Sequence, residues 1–189
     1  MSVTMTKPQE VKKRYTYQDY CALPDDRMRY EIINGELFMT PAPTTTHQRI
    51  SRNLEAILWD FIEENNLGEI FYAPYDVVFS NEDVMQPDLV FVSKENSGII
   101  TEDNIQGAPD LIVEITSPTT ERMDRLEKKV TYERFGVKEY WIVDSKKNLI
   151  EVWTLLGVKF KKYGVFSQHD ILTSPLLKGL AIELNRVFA

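Results

Sequence analysis

The sequence predicts an α/β or α+β domain in which helices pack against a β-sheet core. Apolar residues recur at helical spacing over residues 44–65 and then change to patterns typical of strands. Two short, continuously apolar runs, at 111–115 and 140–143, predict strands that are buried on both faces. Helical and strand patterns therefore follow one another within a chain of 189 residues, which is close to the size of one domain.

The first half of the chain is predicted to contain two helices and a hairpin after a polar tail. Residues 1–15 form the tail, which we expect to be frayed, and a single domain is expected over 16–189. The predicted elements are a short helix at 16–23, a hairpin at 28–40 whose turn is Asn34-Gly35, and a long helix at 44–65.

The second half is predicted to consist mainly of strands around one helix. The expected elements are strands at 70–79 and 84–92, a polar loop at 93–108, a strand at 111–115, a helix at 122–135 ended by Gly136, a strand at 140–143, and paired strands at 150–155 and 159–163. No repeat or long linker divides the chain.

Composition excludes several classes of protein. No uninterrupted apolar run reaches the ~18 residues that a membrane span needs, and the polar N-terminus lacks the apolar core of a secretory signal. The single cysteine, Cys21, cannot form an internal disulfide or a cysteine-based zinc site. We therefore expect a cytoplasmic protein with no membrane partner.

Charge is distributed unevenly. The net charge is -7, yet residues 121–162, here called the basic section, hold 11 basic and 7 acidic side chains. An acidic protein is a poor partner for nucleic acid unless lysine and arginine cluster. Two interpretations of the basic section stay open: a solvated helix and hairpin, or a surface that faces phosphates.

Three features in sequence order are candidates for chemistry. Asp88 opens an otherwise apolar strand, and Glu114 interrupts a strand that should be buried, where a charge is unfavourable unless it is paired or bound to a metal. On the helix that follows, Asp124, Lys128 and Tyr132 are spaced by four and share one face. Phosphodiester cleavage needs such parts: carboxylates to hold a hard cation, and a lysine to stabilise developing charge.

These residues belong to an ordered set of short motifs between about residue 30 and residue 163. The set comprises YEIINGEL at 30–37, His47, QPD at 86–88, APDLIVEITSP at 108–118, DRLEK at 124–128, Tyr132 and GVKEYWIVD at 136–144. Each motif is weakly specific alone, but the ordered set resembles a family of small restriction-endonuclease-like proteins within the PD-(D/E)XK nuclease superfamily. The resemblance implies a mixed β-sheet core flanked by helices.

The resemblance also implies roles for individual residues. Asp88 and Glu114 would be the two motif carboxylates and the ligands of Mg²⁺ or Mn²⁺. The superfamily pattern expects a lysine two positions after the glutamate, where this chain has Thr116. The family is similar in placing its lysine on the next helix, and Lys128 fits that role; Lys129 lies about 100° round the helix.

Glu31, His47, Asp124 and Tyr132 are auxiliary candidates under the same resemblance. Glu31 would add a third carboxylate to the site or have a structural role only. His47 would contact the metal-bound water or the phosphate. Alternatively, His47 would cap its helix or pack on the surface.

Structural alternatives stay open for the three main candidates as well. Asp88 could cap a turn after Pro87, Glu114 could pair with a core arginine, and Lys128 could be an ordinary surface lysine.

The leading functional hypothesis is a metal-dependent endonuclease acting on DNA, in which a homodimer is plausible because dimers are the commonest oligomers. A nuclease fold retained for binding or regulation, without useful activity, is the alternative. A hydrolase acting on smaller phosphate esters is a third, weaker one.

Overall fold

The computed structural model describes residues 13–24, 26, 28–40, 42–117 and 120–189. The helices are α1 (Tyr17–Cys21), α2 (Thr45–Glu64), α3 (Glu121–Met123) and α4 (Lys129–Phe135). The strands are β1 (Arg29–Ile33), β2 (Glu36–Thr40), β3 (Gly68–Tyr72), β4 (Val77–Ser80), β5 (Asp83–Met85), β6 (Leu89–Ser93), β7 (Ile105–Gln106), β8 (Leu111–Thr116), β9 (Glu139–Asp144), β10 (Leu149–Leu156), β11 (Lys159–Ser167), β12 (Ile171–Thr173) and β13 (Ala181–Glu183).

Two stacked sheets and the helices around them form the core of the described residues. The larger sheet has the order β11-β10-β9-β8-β6-β3, and the smaller one has the order β2-β1-β5-β4-β7. Strands β8 and β9 run parallel, whereas the other neighbours in the larger sheet run antiparallel. The prediction of a mixed β-sheet core flanked by helices is therefore confirmed.

The two faces of the larger sheet bury different partners. One face packs against α2 through Ile50, Leu54, Leu58 and Ile62 and against the C-terminal residues from Leu172 onward. The other face packs against the smaller sheet and α4. Strand β8 is buried along its whole length, as the continuous apolar run predicts.

Local signals account for the elements that the sequence predicts well. Thr16 caps α1 in a reciprocal capping box with Asp19, and the side chain of Thr44 accepts a hydrogen bond from the His47 amide at the start of α2. Asn34 and Gly35 both adopt positive φ, as a tight hairpin turn requires, between β1 and β2.

The predictions of one continuous strand at 70–79 and another at 84–92 are wrong, because each segment contains two strands. The strand predicted at 70–79 is β3 and β4, separated by a segment that contains Pro74, and these strands belong to different sheets. The strand predicted at 84–92 is β5 and β6, separated at Gln86, Pro87 and Asp88. Proline lacks the N–H that a ladder needs, so the chain can leave one sheet and enter the other at each of these points. The second break places Asp88 at the entrance of β6.

The helix predicted at 122–135 contains an irregular turn. Residues between α3 and α4, Asp124–Lys128, form one π-helical turn, and Gly136 at φ 85° ends the helix as predicted. The predicted loop at 93–108 holds a 3₁₀ turn at Lys94–Ile99 and the short strand β7. Strands β12 and β13 lie beyond the predicted elements.

The tail predicted at 1–15 falls mainly outside the described residues. In the described part of the tail, Arg14 forms an ion pair with Glu82, and the Tyr15 amide donates to the Gly35 carbonyl over 2.9 Å. These residues are therefore attached to the β1–β2 turn rather than frayed. Within the described ranges, helices long and apolar enough to cross a bilayer are absent.

Candidate active site

The two motif carboxylates meet at neighbouring strand ends. Leu89 pairs with Val113 and Val90 with Ile112 in the β6–β8 ladder. Extending this register by one residue sets Asp88 opposite Glu114, and residues directly opposite one another project to the same face of a sheet. Both side chains are more than nine-tenths buried, and both line a pocket of about 320 Å³.

Lys128 reaches the same pocket from the π-helical turn. Its Nζ donates to Oε1 of Glu31 over 2.9 Å and to Oε1 of Glu114 over 3.0 Å. The side chain is only 4% exposed, so the interpretation as an ordinary surface lysine is wrong. The neighbouring Lys129 points elsewhere, with its Nζ 3.0 Å from the ring centroid of Trp153.

Burial and the nearest opposite charge act in opposite directions on the pKa values of Glu114, Asp124 and Lys128. Burial raises the pKa of Glu114 well above its usual value, despite the nearby Lys128 ammonium, and burial raises that of Asp124 to about 6. Burial alone would lower the pKa of Lys128, but the carboxylates of Glu114, Glu31 and Asp124 outweigh it and raise that pKa. The lysine is therefore charged at neutral pH, while Glu114 and Asp124 retain protons more strongly than usual.

Asp88 is held by a separate pair of donors. The Ile115 amide donates to its Oδ2 over 2.8 Å, and His47 Nε2 lies 3.0 Å from the same oxygen. The His47 amide is capped by Thr44, so the helix start fixes the imidazole beside the carboxylate. His47 Nδ1 is buried with no hydrogen-bond partner among the described residues. His47 is thus fixed beside Asp88 through Nε2.

One further side chain and one backbone amide, that of Gln86, fix the carboxylates from behind. Tyr132 Oη donates to Oε1 of Glu114 over 2.6 Å, and burial raises the pKa of this phenol well above its usual value. The Gln86 amide donates to Oε1 of Glu31 over 2.9 Å. Glu114 is consequently held through Oε1 by Lys128 and Tyr132. Its cationic partner is therefore a lysine and not the core arginine that was one of the structural alternatives.

The structure brings together all seven residues that the sequence singles out. Six of them line the pocket, and Tyr132 lies behind Glu114; the six are Glu31, His47, Asp88, Glu114, Asp124 and Lys128. The sequence reasoning did not assign roles to Arg29, which lines the pocket, or to Tyr140, whose hydroxyl donates to the Asp124 carbonyl. Tyr140 lies in an apolar strand, and Arg29 lies among several charged residues at the start of β1, so the pattern around each gives no signal.

The donor chemistry of the pocket fits a hard divalent cation. Four carboxylates, from Glu31, Asp88, Glu114 and Asp124, share the pocket with the ammonium of Lys128 and the guanidinium of Arg29. The hydrogen bonds to Glu114 and Asp88 from described residues use Oε1 and Oδ2, which leaves one oxygen of each for a ligand. The described residues hold no group of three or more acidic, histidine or cysteine side chains already arranged around one point. Two protein carboxylates, however, are a usual complement for Mg²⁺.

Ion pairs neutralise most of the basic section. Within the described chain, seven of its 11 basic residues pair with carboxylates: Arg125, Lys128, Arg134, Lys138, Lys147, Lys159 and Lys162. Of the basic section, Lys128 alone lines the pocket among the described residues. This arrangement favours the interpretation of the section as a solvated surface over the phosphate-facing one.

Comparison with known proteins gives a family and a related structure. A family model described as "Uma2: Putative restriction endonuclease" matches residues 17–185. A comparison with curated proteins finds no match. One similar solved structure is that of "a putative nuclease belonging to DUF820" from Anabaena variabilis ATCC 29413. It is 16% identical with a TM-score of 0.75, and the alignment covers 92% of this chain and 97% of that chain. This likeness establishes a shared fold.

Proposed function

Because the chain belongs to the Uma2 family, we propose that it is a metal-dependent endonuclease that hydrolyses phosphodiester bonds of DNA. The family description and the fold support a nuclease in general terms. The observation that carries the finer proposal is the convergence of Asp88, Glu114 and Lys128 in one pocket that has an excess of carboxylates.

In this proposal Asp88 and Glu114 hold Mg²⁺ or Mn²⁺ through the oxygens that their hydrogen bonds leave open. When bound, the cation polarises the phosphate and lowers the pKa of a water. The Ile115 amide and Tyr132 hydroxyl keep the two carboxylates in place, so the site needs little rearrangement.

Lys128 is suited to stabilise charge on the phosphate. An ammonium has three N–H donors, and two of them are directed at Glu31 and Glu114. The third can donate to a phosphate oxygen that gains negative charge in the transition state. The raised pKa keeps this group charged at any pH at which DNA is stable.

The test is a cleavage assay with Mg²⁺ or Mn²⁺ on single-stranded, duplex and supercoiled DNA. Asp88→Asn and Glu114→Gln should abolish cleavage, since each keeps the shape of the side chain and removes a charge that holds the cation. Lys128→Ala should lower the rate with less effect on metal binding. Equal activity of wild type and Glu114→Gln would mark the activity as contamination and overturn the proposal.

One observation favours a second candidate, a nuclease fold kept for binding. Lys128 already donates to two carboxylates, and Thr116 occupies the position where the superfamily has its lysine. In a protein of this kind Lys128 would neutralise buried charge and do no chemistry. DNA binding without metal-dependent cleavage, in wild type and Lys128→Ala alike, would select this candidate.

A further inference from the structure

A second groove extends the active-site pocket beyond the His47–Asp88 pair. Its volume is about 380 Å³, and it shares Arg29, Pro43, His47 and Asp88 with the pocket. Its remaining lining comes from the outer side of α2 and from the end of β3. Any polymer whose scissile bond lies over Asp88 therefore has a continuous path from the pocket into this groove.

Two arginines line the groove. The Arg29 guanidinium is held by Gln86, through Nε to Oε1 over 3.1 Å and through Nη2 to the carbonyl over 2.9 Å. Arg52 is exposed on α2 and donates only to the side chain of Asn53 among the described residues. Neither forms an ion pair with a described carboxylate, although Glu55 also lines the groove. Both guanidinium groups thus keep donors free for phosphate oxygens.

An exposed aromatic ring lies at the end of the groove. Tyr72 is 63% exposed on β3, which is an edge strand of the larger sheet. It pairs with Leu89, and the next residue, Ala73, donates its amide to the Asp88 carbonyl over 3.1 Å. The backbone that carries the ring is therefore bonded directly to the backbone of a proposed metal ligand, which fixes the position of the Tyr72 backbone relative to the site.

We infer that this groove binds a single strand of DNA, with backbone phosphates on Arg29 and Arg52 and one base stacked on Tyr72. The inference rests on the proposed nuclease function and adds the form of the substrate. An exposed ring can stack only on a base whose own face is free, which favours an unpaired strand over an intact duplex. The alternative surface, the basic section, is largely neutralised by its own carboxylates.

The first test is binding measured without cleavage. A fluorescently labelled oligothymidine and a duplex of equal length are titrated with protein in EDTA, and fluorescence anisotropy is recorded. Wild type should bind the single strand about 10-fold more tightly than the duplex, since stacking of one base contributes on that order. Tyr72→Ala should remove this preference, whereas Tyr72→Phe, which keeps the ring, should retain it.

Tyr163→Ala is the matched control for the ring. Tyr163 is 52% exposed on β11, the opposite edge strand of the same sheet, so its loss should leave binding unchanged. For the charges, Arg52→Ala should lower the slope of log affinity against log salt by about 0.7, the value for one phosphate contact on a single strand. Lys161→Ala, an exposed residue of the basic section without a described ion pair, should leave that slope unchanged.

Several results would overturn the inference. These are the absence of oligothymidine binding, equal affinity of Tyr72→Ala and Tyr163→Ala, or a salt slope that falls with Lys161→Ala and not with Arg52→Ala. Thermal unfolding of each variant shows that a loss of binding does not reflect a loss of fold. Failure of the nuclease proposal would be seen separately, as cleavage that Glu114→Gln does not reduce.

Discussion

Tyr132 shows how a single buried hydroxyl can fix the geometry of a charged site. Its Oη contacts the same oxygen of Glu114 that Lys128 contacts, and the ring is closed in by Phe79 and Tyr140. Holding one oxygen from behind turns the other towards the pocket. Tyr132 is thus a positioning residue for Glu114.

Tyr132→Phe tests this role against a matched change, Tyr140→Phe. Both hydroxyls are fully buried, but Tyr140 donates to a backbone carbonyl rather than to Glu114. Hydrogen-bond energies predict a loss of about 2 kcal/mol of unfolding free energy for Tyr132→Phe and about 1 kcal/mol for Tyr140→Phe. Denaturant unfolding measures both losses.

Cleavage kinetics separate the two tyrosines further. Only Tyr132→Phe should lower kcat, by about 10-fold, with little change in KM, because it frees the carboxylate without touching DNA. Similar kinetics for the two variants would show that Tyr132 serves stability alone.

At the scale of elements, the junction between α2 and β3 depends on one glycine. Gly68 has φ of +154°, and a Cβ on it would lie 2.1 Å from the Val92 carbonyl oxygen. Backbone of β6 supplies that oxygen, so relief would require a shift of the strand that leads to Asp88. The close approach ties the register of β3, and hence Tyr72, to β6.

Gly68→Ala should therefore destabilise the protein by more than about 2 kcal/mol. Gly98→Ala is the control, because a Cβ there meets no atom within 4 Å and its φ is ordinary. Thermal and denaturant unfolding of the two variants give the comparison. A Gly68→Ala protein as stable as the Gly98→Ala protein would mean that β3 can shift without loss.

Elements differ in how far the sequence determines them. Caps and turns such as Thr16, Asn34-Gly35 and Gly136 act on their own neighbours, so their signals are local and their positions are predicted. The breaks at Pro74 and Pro87 depend on which sheet each half-strand joins, which is a long-range property that periodicity does not carry. The same holds for the π-helical turn, whose residues look like ordinary helix formers.

The residues of the site also differ in how far the sequence predicts them. Asp88 and Glu114 are accessible to sequence reasoning because a charge inside an apolar pattern is conspicuous, and Lys128 because it shares a helix face with Asp124 and Tyr132 and fits the family's lysine. Arg29 and Tyr72 are not, since an arginine at the start of a strand or a tyrosine at the end of one looks ordinary in sequence. The relation of Tyr72 to Asp88 arises only when β3 and β6 pair, and that of Arg29 only when its guanidinium contacts Gln86.

For the whole molecule, the buried carboxylates link stability to pH and to metal. Burial raises the pKa of Asp124 to about 6 and raises the pKa of Glu114 well above its usual value. A carboxyl whose pKa is raised on folding stabilises the protein at low pH, and that contribution is lost as the pH rises through the raised pKa. The metal-free protein should therefore lose stability from about pH 4 through about pH 6 and above from these two groups.

A divalent cation should reverse that loss, because it replaces the protons that the cluster retains. The rise in unfolding temperature caused by Mg²⁺ or Mn²⁺ should be small at about pH 5 and large at about pH 8. Differential scanning fluorimetry with and without metal measures it, and Glu114→Gln should show a much smaller rise at either pH. A rise that is independent of pH, or equal in the variant, would contradict cation binding at these carboxylates.

The π-helical turn at Asp124–Lys128 has a consequence for how the chain tolerates changes in length. A turn of this kind accommodates one residue more than an α-helical turn, so it has the form of a single-residue insertion absorbed without breaking the helix. Deleting one residue here, for instance the exposed Leu126, would let the helix become regular and keep its hydrogen bonds. An α-helical turn completes about the same rotation with one residue fewer, so side chains beyond the deletion would keep their direction relative to those before it. The chain should therefore tolerate the loss of a residue at this one point better than elsewhere in the helix, where a deletion rotates every following side chain by about 100°.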